Sequence, residues 1–115
     1  MLISPRLSGY SAGLHMAFEI QFTQTAADHV RAYRKFDQQI ILDGIELQLE
    51  NEPITETRNR KRLGENELSD WELRVQDFRV FYDVVSEENR QIVKVKAVGH
   101  KQHNKLFIGG KEVWL

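Results

Sequence analysis

The chain contains no cysteine, which excludes a disulfide scaffold, a thiolate zinc site and a cysteine nucleophile. That composition suits a reducing compartment, and a cytoplasmic protein is expected. No apolar run approaches the roughly 20 residues that a membrane-spanning helix needs, so no membrane partner is expected. Internal repeats and low-complexity linkers are also missing. Excess charge of either sign is absent too, since the formal net charge is −1. That near-neutral total hides a segregation. Residues 37–56 carry six acidic and no basic side chains, while residues 57–115 carry twelve basic against nine acidic ones. A chain of 115 residues is the size of one domain.

The first fifteen residues mix Ser, Gly and Pro without periodicity and lack the apolar core of a signal peptide. They read as a poorly ordered leader or an upstream start, with the domain proper spanning residues 16–115. Ala17–Phe22 alternates and predicts a strand, after which Thr23 or Thr25 is placed to cap a helix. Ala26, Val30, Tyr33 and Phe36 recur at helical spacing. Asp37 is placed to cap a second helix running to about Glu50, with Ile41, Ile45 and Leu49 in one row and Leu42 beside it. Gly44 weakens its interior and Pro53 ends it. Residues 54–70 read as a polar connection.

Trp71–Gly99 then carries three β-branched and aromatic runs separated by polar turns, which predicts an antiparallel meander. Trp71, Leu73, Val75, Phe78, Val80, Tyr82, Val84, Val93, Val95 and Ala97 are assigned to the buried face by alternation. Glu72, Arg74, Arg79, Phe81, Asp83, Lys94 and Lys96 fall on the other. Leu106–Ile108, Gly109-Gly110 and Lys111–Leu115 predict a closing hairpin. The fold class is therefore α+β, an antiparallel β-sheet backed by two N-terminal α-helices. The sheet comprises the N-terminal strand, the meander and a short C-terminal β element.

The outward face is where chemistry is expected. Cleaving RNA without a metal takes a base for the 2′-hydroxyl, cations for the phosphorane and an acid for the leaving 5′-oxygen. Glu72 is the candidate base, Arg74 and Arg79 the phosphate clamp, and His100 or His103 the acid. Phe81 or Phe107 is placed to stack a base. Arg58, Arg60, Lys61 and Arg62 put four cations within five residues and, with Lys94, Lys96 and Lys101, suit a nucleic-acid backbone. Each has a plainer reading: Glu72 as a cross-strand ion-pair partner, Lys94 and Lys96 as a solvated face, Arg58–Arg62 as a charged loop. His100 and His103 lack a third ligand, so neither a metal nor a cofactor is expected.

The order strand, two helices, basic leader and meander, with Trp-Glu-Leu-Arg-Val, Phe-Arg-Val-Phe-Tyr-Asp-Val and Val-Gly-His-Lys, resembles the RelE/ParE superfamily of bacterial type II toxins from residue 16 onward. The resemblance implies a toxin neutralised by a cognate antitoxin. In RelE-type members the activity is ribosome-dependent, metal-free mRNA cleavage; in ParE-type members it is poisoning of DNA gyrase. It implies ribosome and mRNA as partners of the first type, and operator DNA only through the antitoxin complex. The phosphate-stabilising arginine falls on Arg79 and a further basic position on Arg74. The basic residue after Val-Gly falls on Lys101, with His100 beside it. A tyrosine used by several members has no equivalent, Phe107 being nearest. The leading expectation is an mRNA endonuclease; the alternatives are a gyrase inhibitor or a degenerate toxin that only binds its antitoxin.

Overall fold

The structure, a computed structural model, describes residues 17–115; the expected leader lies outside the described residues. One seven-stranded sheet carries two helices on one face. The first strand, β1 (Glu19–Phe22), leads into α1 (Gln24–Arg31) and α2 (Lys35–Leu49). The order β2 (Arg60–Arg62), β3 (Trp71–Val75), β4 (Phe78–Glu87), β5 (Arg90–Gln102), β6 (Lys105–Ile108) and β7 (Lys111–Val113) is also the spatial order, every neighbour antiparallel. β1 adds to β5 in parallel. The expected meander is β3–β5, and the closing hairpin is β6–β7, turning through Gly109 and Gly110 at positive φ.

Thr23 caps α1, its hydroxyl accepting from the Ala26 amide at 3.1 Å. The second helix starts earlier than expected. Arg34 is its N-cap, so Asp37 lies in the first turn and pairs with Arg34 at 3.1 Å instead of capping. Phe36 belongs to this helix and is exposed, not part of the first helix's apolar row. Ile41, Ile45 and Leu49 are fully buried against the sheet. Gly44 is required by packing: a Cβ there would lie 2.7 Å from both Val75 methyl groups, so α2 could not seat on β3.

The helix-covered core takes Leu73, Val80, Tyr82, Val93 and Val95, each fully buried side chain contributing about 1.5–3 kcal/mol. Alternation fails at one point. Phe81 pairs with Ala97 but Tyr82 pairs with Val95, so Lys96 is the extra residue of a β-bulge. Beyond it Val98 takes the helix side, and Ala97 turns outward against expectation. There Ala97, Phe81 and Leu106 form a second small core with Leu63, Leu68, Ile108 and Val113 packed on it. Phe81 is 0% exposed, so it cannot stack a base as expected of it.

The polar connection also holds structure. Arg60–Arg62 is a strand, with Arg60 opposite Leu73 and therefore under α2. Its guanidinium donates to Gln48 O at 2.6 Å and Thr55 O at 2.9 Å, and lies 3.7 Å from Glu52. Arg60 thus satisfies Gln48 O at the C-terminal end of α2 and Thr55 O in the connection beyond it, and is withdrawn from any nucleic-acid surface.

One edge of β5 has two neighbours, β1 along Ile92–Val95 and β6 along Gly99–Gln102. Side chains fill the gap between them. The Thr23 hydroxyl donates to Lys96 O at 3.4 Å, and the Val98 amide donates to His29 Nδ1 at 3.2 Å. Accepting at Nδ1 requires the neutral imidazole, and burial accordingly lowers the His29 pKa, against a smaller opposing effect of Asp28. Gly99 begins the β6 register, where a Cβ would collide with the Phe107 carbonyl.

Candidate functional site

Two tight turns at one end of the sheet build a cleft on the outward face. The β3–β4 turn is Gln76-Asp77, with Gln76 at φ 55°, and the β5–β6 turn is His103-Asn104, at φ 52° and 66°. The Lys101 amide donates to Asp77 O at 2.8 Å, locking the first turn to β5. Between them opens a cleft of about 410 Å³ lined by Arg74, Asp77, Arg79, Lys101, Gln102, His103 and Asn104.

Arg79 is its floor. The residue is 8% exposed, and its Nη1 donates to Gln76 O and Phe78 O, both at 2.9 Å. Those bonds aim the guanidinium into the turn and leave its other N–H groups to the cleft. Arg74 stands directly across from Arg79 in the β3–β4 register. Like charges directly opposite on antiparallel strands are destabilising by roughly 0.2–1 kcal/mol. Burial first, and then the Arg74 charge, lower the Arg79 pKa from its ordinary value, with Glu72 and Asp77 opposing. A site that pays for two opposed cations and a partly dehydrated guanidinium gains when an anion enters.

Of the residues expected at the site, Arg74, Arg79, Lys101 and His103 meet here. Glu72 is outward but lies across from Lys61 and lines an adjoining cleft, which it shares with Lys101. His100 is on the other face: its Nδ1 is 2.7 Å from the Tyr33 hydroxyl, and Phe107 stacks on its ring at 5.6 Å. Neither His100 nor Phe107 lines the cleft, so His100 is not its acid and Phe107 is not its aromatic. Lys94 and Lys96 lie on the outward face farther along β5, with Lys96 paired to Asp83 at 3.4 Å. Arg62 sits over the Trp71 ring at 5.7 Å, and Arg58 and Lys61 are exposed on the β2 side. Asp77, Gln102 and Asn104 were not anticipated. The only sequence signal for them is that Asp77 and Asn104 sit in two-residue turns and Gln102 ends the strand before the second turn.

Among the described residues no helix is long and apolar enough to cross a membrane. No curated protein and no solved structure matches the chain. A family model described as the ParE toxin of the type II toxin–antitoxin system parDE matches residues 20–104, from β1 to the turn that closes the cleft. With most of the chain matched, and with two helices laid over a largely antiparallel sheet, the protein belongs to the ParE toxin family of the RelE/ParE superfamily.

Proposed function

We propose that this toxin halts translation by cleaving mRNA on the ribosome, with the cleft at Arg74 and Arg79 holding the scissile phosphate. The observation that carries this reading is the directly opposed Arg74–Arg79 pair, whose repulsion a phosphate relieves. Asp77, which lines the cleft where Glu72 does not, takes the proton of the 2′-hydroxyl as its oxygen attacks phosphorus. Arg74, Arg79 and Lys101 stabilise the phosphorane. His103 as imidazolium gives its proton to the 5′-oxygen as the P–O5′ bond breaks, leaving a 2′,3′-cyclic phosphate and a 5′-hydroxyl. The family membership supplies the antitoxin as partner.

The matching family's own description favours a second reading, a gyrase inhibitor in which the same cleft binds without cutting. A purified translation system with a defined mRNA separates the two. Wild-type protein, Arg79→Ala and Arg79→Lys are compared with and without ribosomes, breaks being mapped by primer extension. Cuts that need both ribosomes and Arg79 support the nuclease. Intact mRNA with folded wild-type protein overturns it, and loss of plasmid supercoiling by gyrase then establishes the second reading.

A further inference from the structure

The imidazole expected in the cleft, that of His100, lies behind it within a plate of four rings. Phe78 and His100 are directly opposite on β4 and β5, and each immediately precedes a cation of the cleft, Arg79 and Lys101. Phe107 faces His100 from β6 and stacks on it. Tyr33, between α1 and α2, stands edge-on to both Phe78 and His100, with ring centroids 5.3 and 5.7 Å away. Its backbone is fixed on both sides. The Tyr33 amide donates to Val30 O at 3.1 Å, and the Gln38 side-chain amide donates to Tyr33 O at 2.8 Å. A polar contact crosses this plate, the 2.7 Å hydrogen bond between the Tyr33 hydroxyl and His100 Nδ1. Burial raises the Tyr33 pKa and the Asp37 charge adds to it, so the hydroxyl keeps its proton at neutral pH.

On the reading of this cleft as the phosphate site, we propose that Tyr33 and His100 are positioning residues whose hydrogen bond sets where Lys101 stands relative to Arg79. Neighbouring side chains on a strand take opposite faces. A ring held on one face therefore fixes the backbone that aims the next side chain on the other. Phe78 is held twice, since its carbonyl also accepts from the Arg79 guanidinium at 2.9 Å. Apolar packing is non-directional and lets strands slide by a fraction of an ångström, whereas a short hydrogen bond has a narrow range of lengths and angles. The bond also joins the helical layer to the strand end that carries Lys101 and Gln102, next to the turn that carries His103.

Rates of mRNA cleavage across a range of ribosome concentrations, per folded molecule, give kcat and KM separately. Tyr33→Phe keeps the ring and removes the hydroxyl. It should lower kcat about tenfold or more, since ~1 Å of misplacement costs about 10²-fold, and leave KM unchanged. His100→Phe keeps the stack on Phe107 and removes the nitrogen, and should match it. The double variant should be no slower than either single one, because both remove the same bond. His100→Asn, whose amide still meets the hydroxyl, should recover most of the rate. Ile45→Val, which loosens the core away from the rings, should leave the rate per folded molecule unchanged. Wild-type kcat in Tyr33→Phe, additive losses in the double variant, or His100→Asn as slow as His100→Phe overturns the positioning role. If wild-type protein cuts no mRNA, the nuclease reading fails and the same variants are compared by NMR. Tyr33→Phe should then shift the Arg79 Nε–Hε signal and weaken the binding of inorganic phosphate. An unmoved signal, or a phosphate affinity equal in both proteins, overturns the positioning role independently of any cleavage.

Discussion

Arg60 and Arg79 are almost equally buried, 7% and 8% exposed, but they lie on opposite faces of the sheet and are used differently. Arg60 spends its guanidinium on the carbonyls of Gln48 and Thr55 and on Glu52, closing the corner between α2 and β2. Arg79 is tied on one nitrogen only, and the charge across from it is another arginine. Burial alone therefore does not make a cation structural or functional. What separates the two is where the guanidinium is held: Arg60 is bonded through Nε and Nη1 to groups at the end of α2 and beyond it, and Arg79 through Nη1 to its own turn at the mouth of the cleft.

Four measurements bear on that contrast. The outward face needs its own small core to hold the cleft's strands, so Phe81→Ala should cost about 3–5 kcal/mol in urea unfolding, as for a buried phenylalanine. A change near zero would mean the ring is not buried. Arg79→Ala should lower mRNA cleavage by about 10²–10³-fold while the protein stays folded by circular dichroism. Arg60→Ala should do the reverse, leaving cleavage per folded molecule unchanged but reducing stability by about 1–3 kcal/mol, because buried carbonyls lose their donor. If both substitutions had the same profile, the distinction between the two buried arginines would fail.

The smallest effect concerns His29. Its folded-state pKa lies below the unfolded value near 6.5, so the unfolded chain binds the proton more readily. The stability that neutral His29 contributes is complete above about pH 6.5 and is lost as pH falls through that value. Melting temperature should fall between pH 7.5 and 5.5 in the wild type and fall less in His29→Gln. An equal fall in both would assign the acid sensitivity elsewhere.

The strands of the meander, the row Ile41, Ile45 and Leu49, the Thr23 cap and the glycine hairpin were legible because each is a local pattern. Arg74 and Arg79 share a face by alternation, whereas Lys101 was pointed to by the resemblance of Val-Gly-His-Lys and reaches that face only through the bulge at Lys96. What was not legible depends on partners distant in sequence. The bulge at Lys96 comes from how β4 and β5 pair, and it moved Ala97 to the outward face. Outward parity placed Phe81 correctly on that face, but burial came from Leu106 and the β2–β3 connection closing over it. Arg60 looked like its basic neighbours until the end of α2 arrived beside it. His100 and His103, three residues apart, straddle a strand end and a turn, so one faces Tyr33 and the other faces the cleft.

The parallel pairing of β1 with β5 has a consequence for the order of events during synthesis. Glu19–Phe22 is made early but finds its register partners only at Ile92–Val95, and the cleft also waits for Lys101 and His103. Chains are made from the N-terminus, and contacts so far apart in sequence form late and slowly. Until β5 is made, the nascent chain therefore carries α1 and α2 without the strand that β1 pairs with and without an assembled cationic cleft. A truncated product ending before β5 lacks the strand that joins β1, β4 and β6, and with it Lys101 and His103 of the cleft.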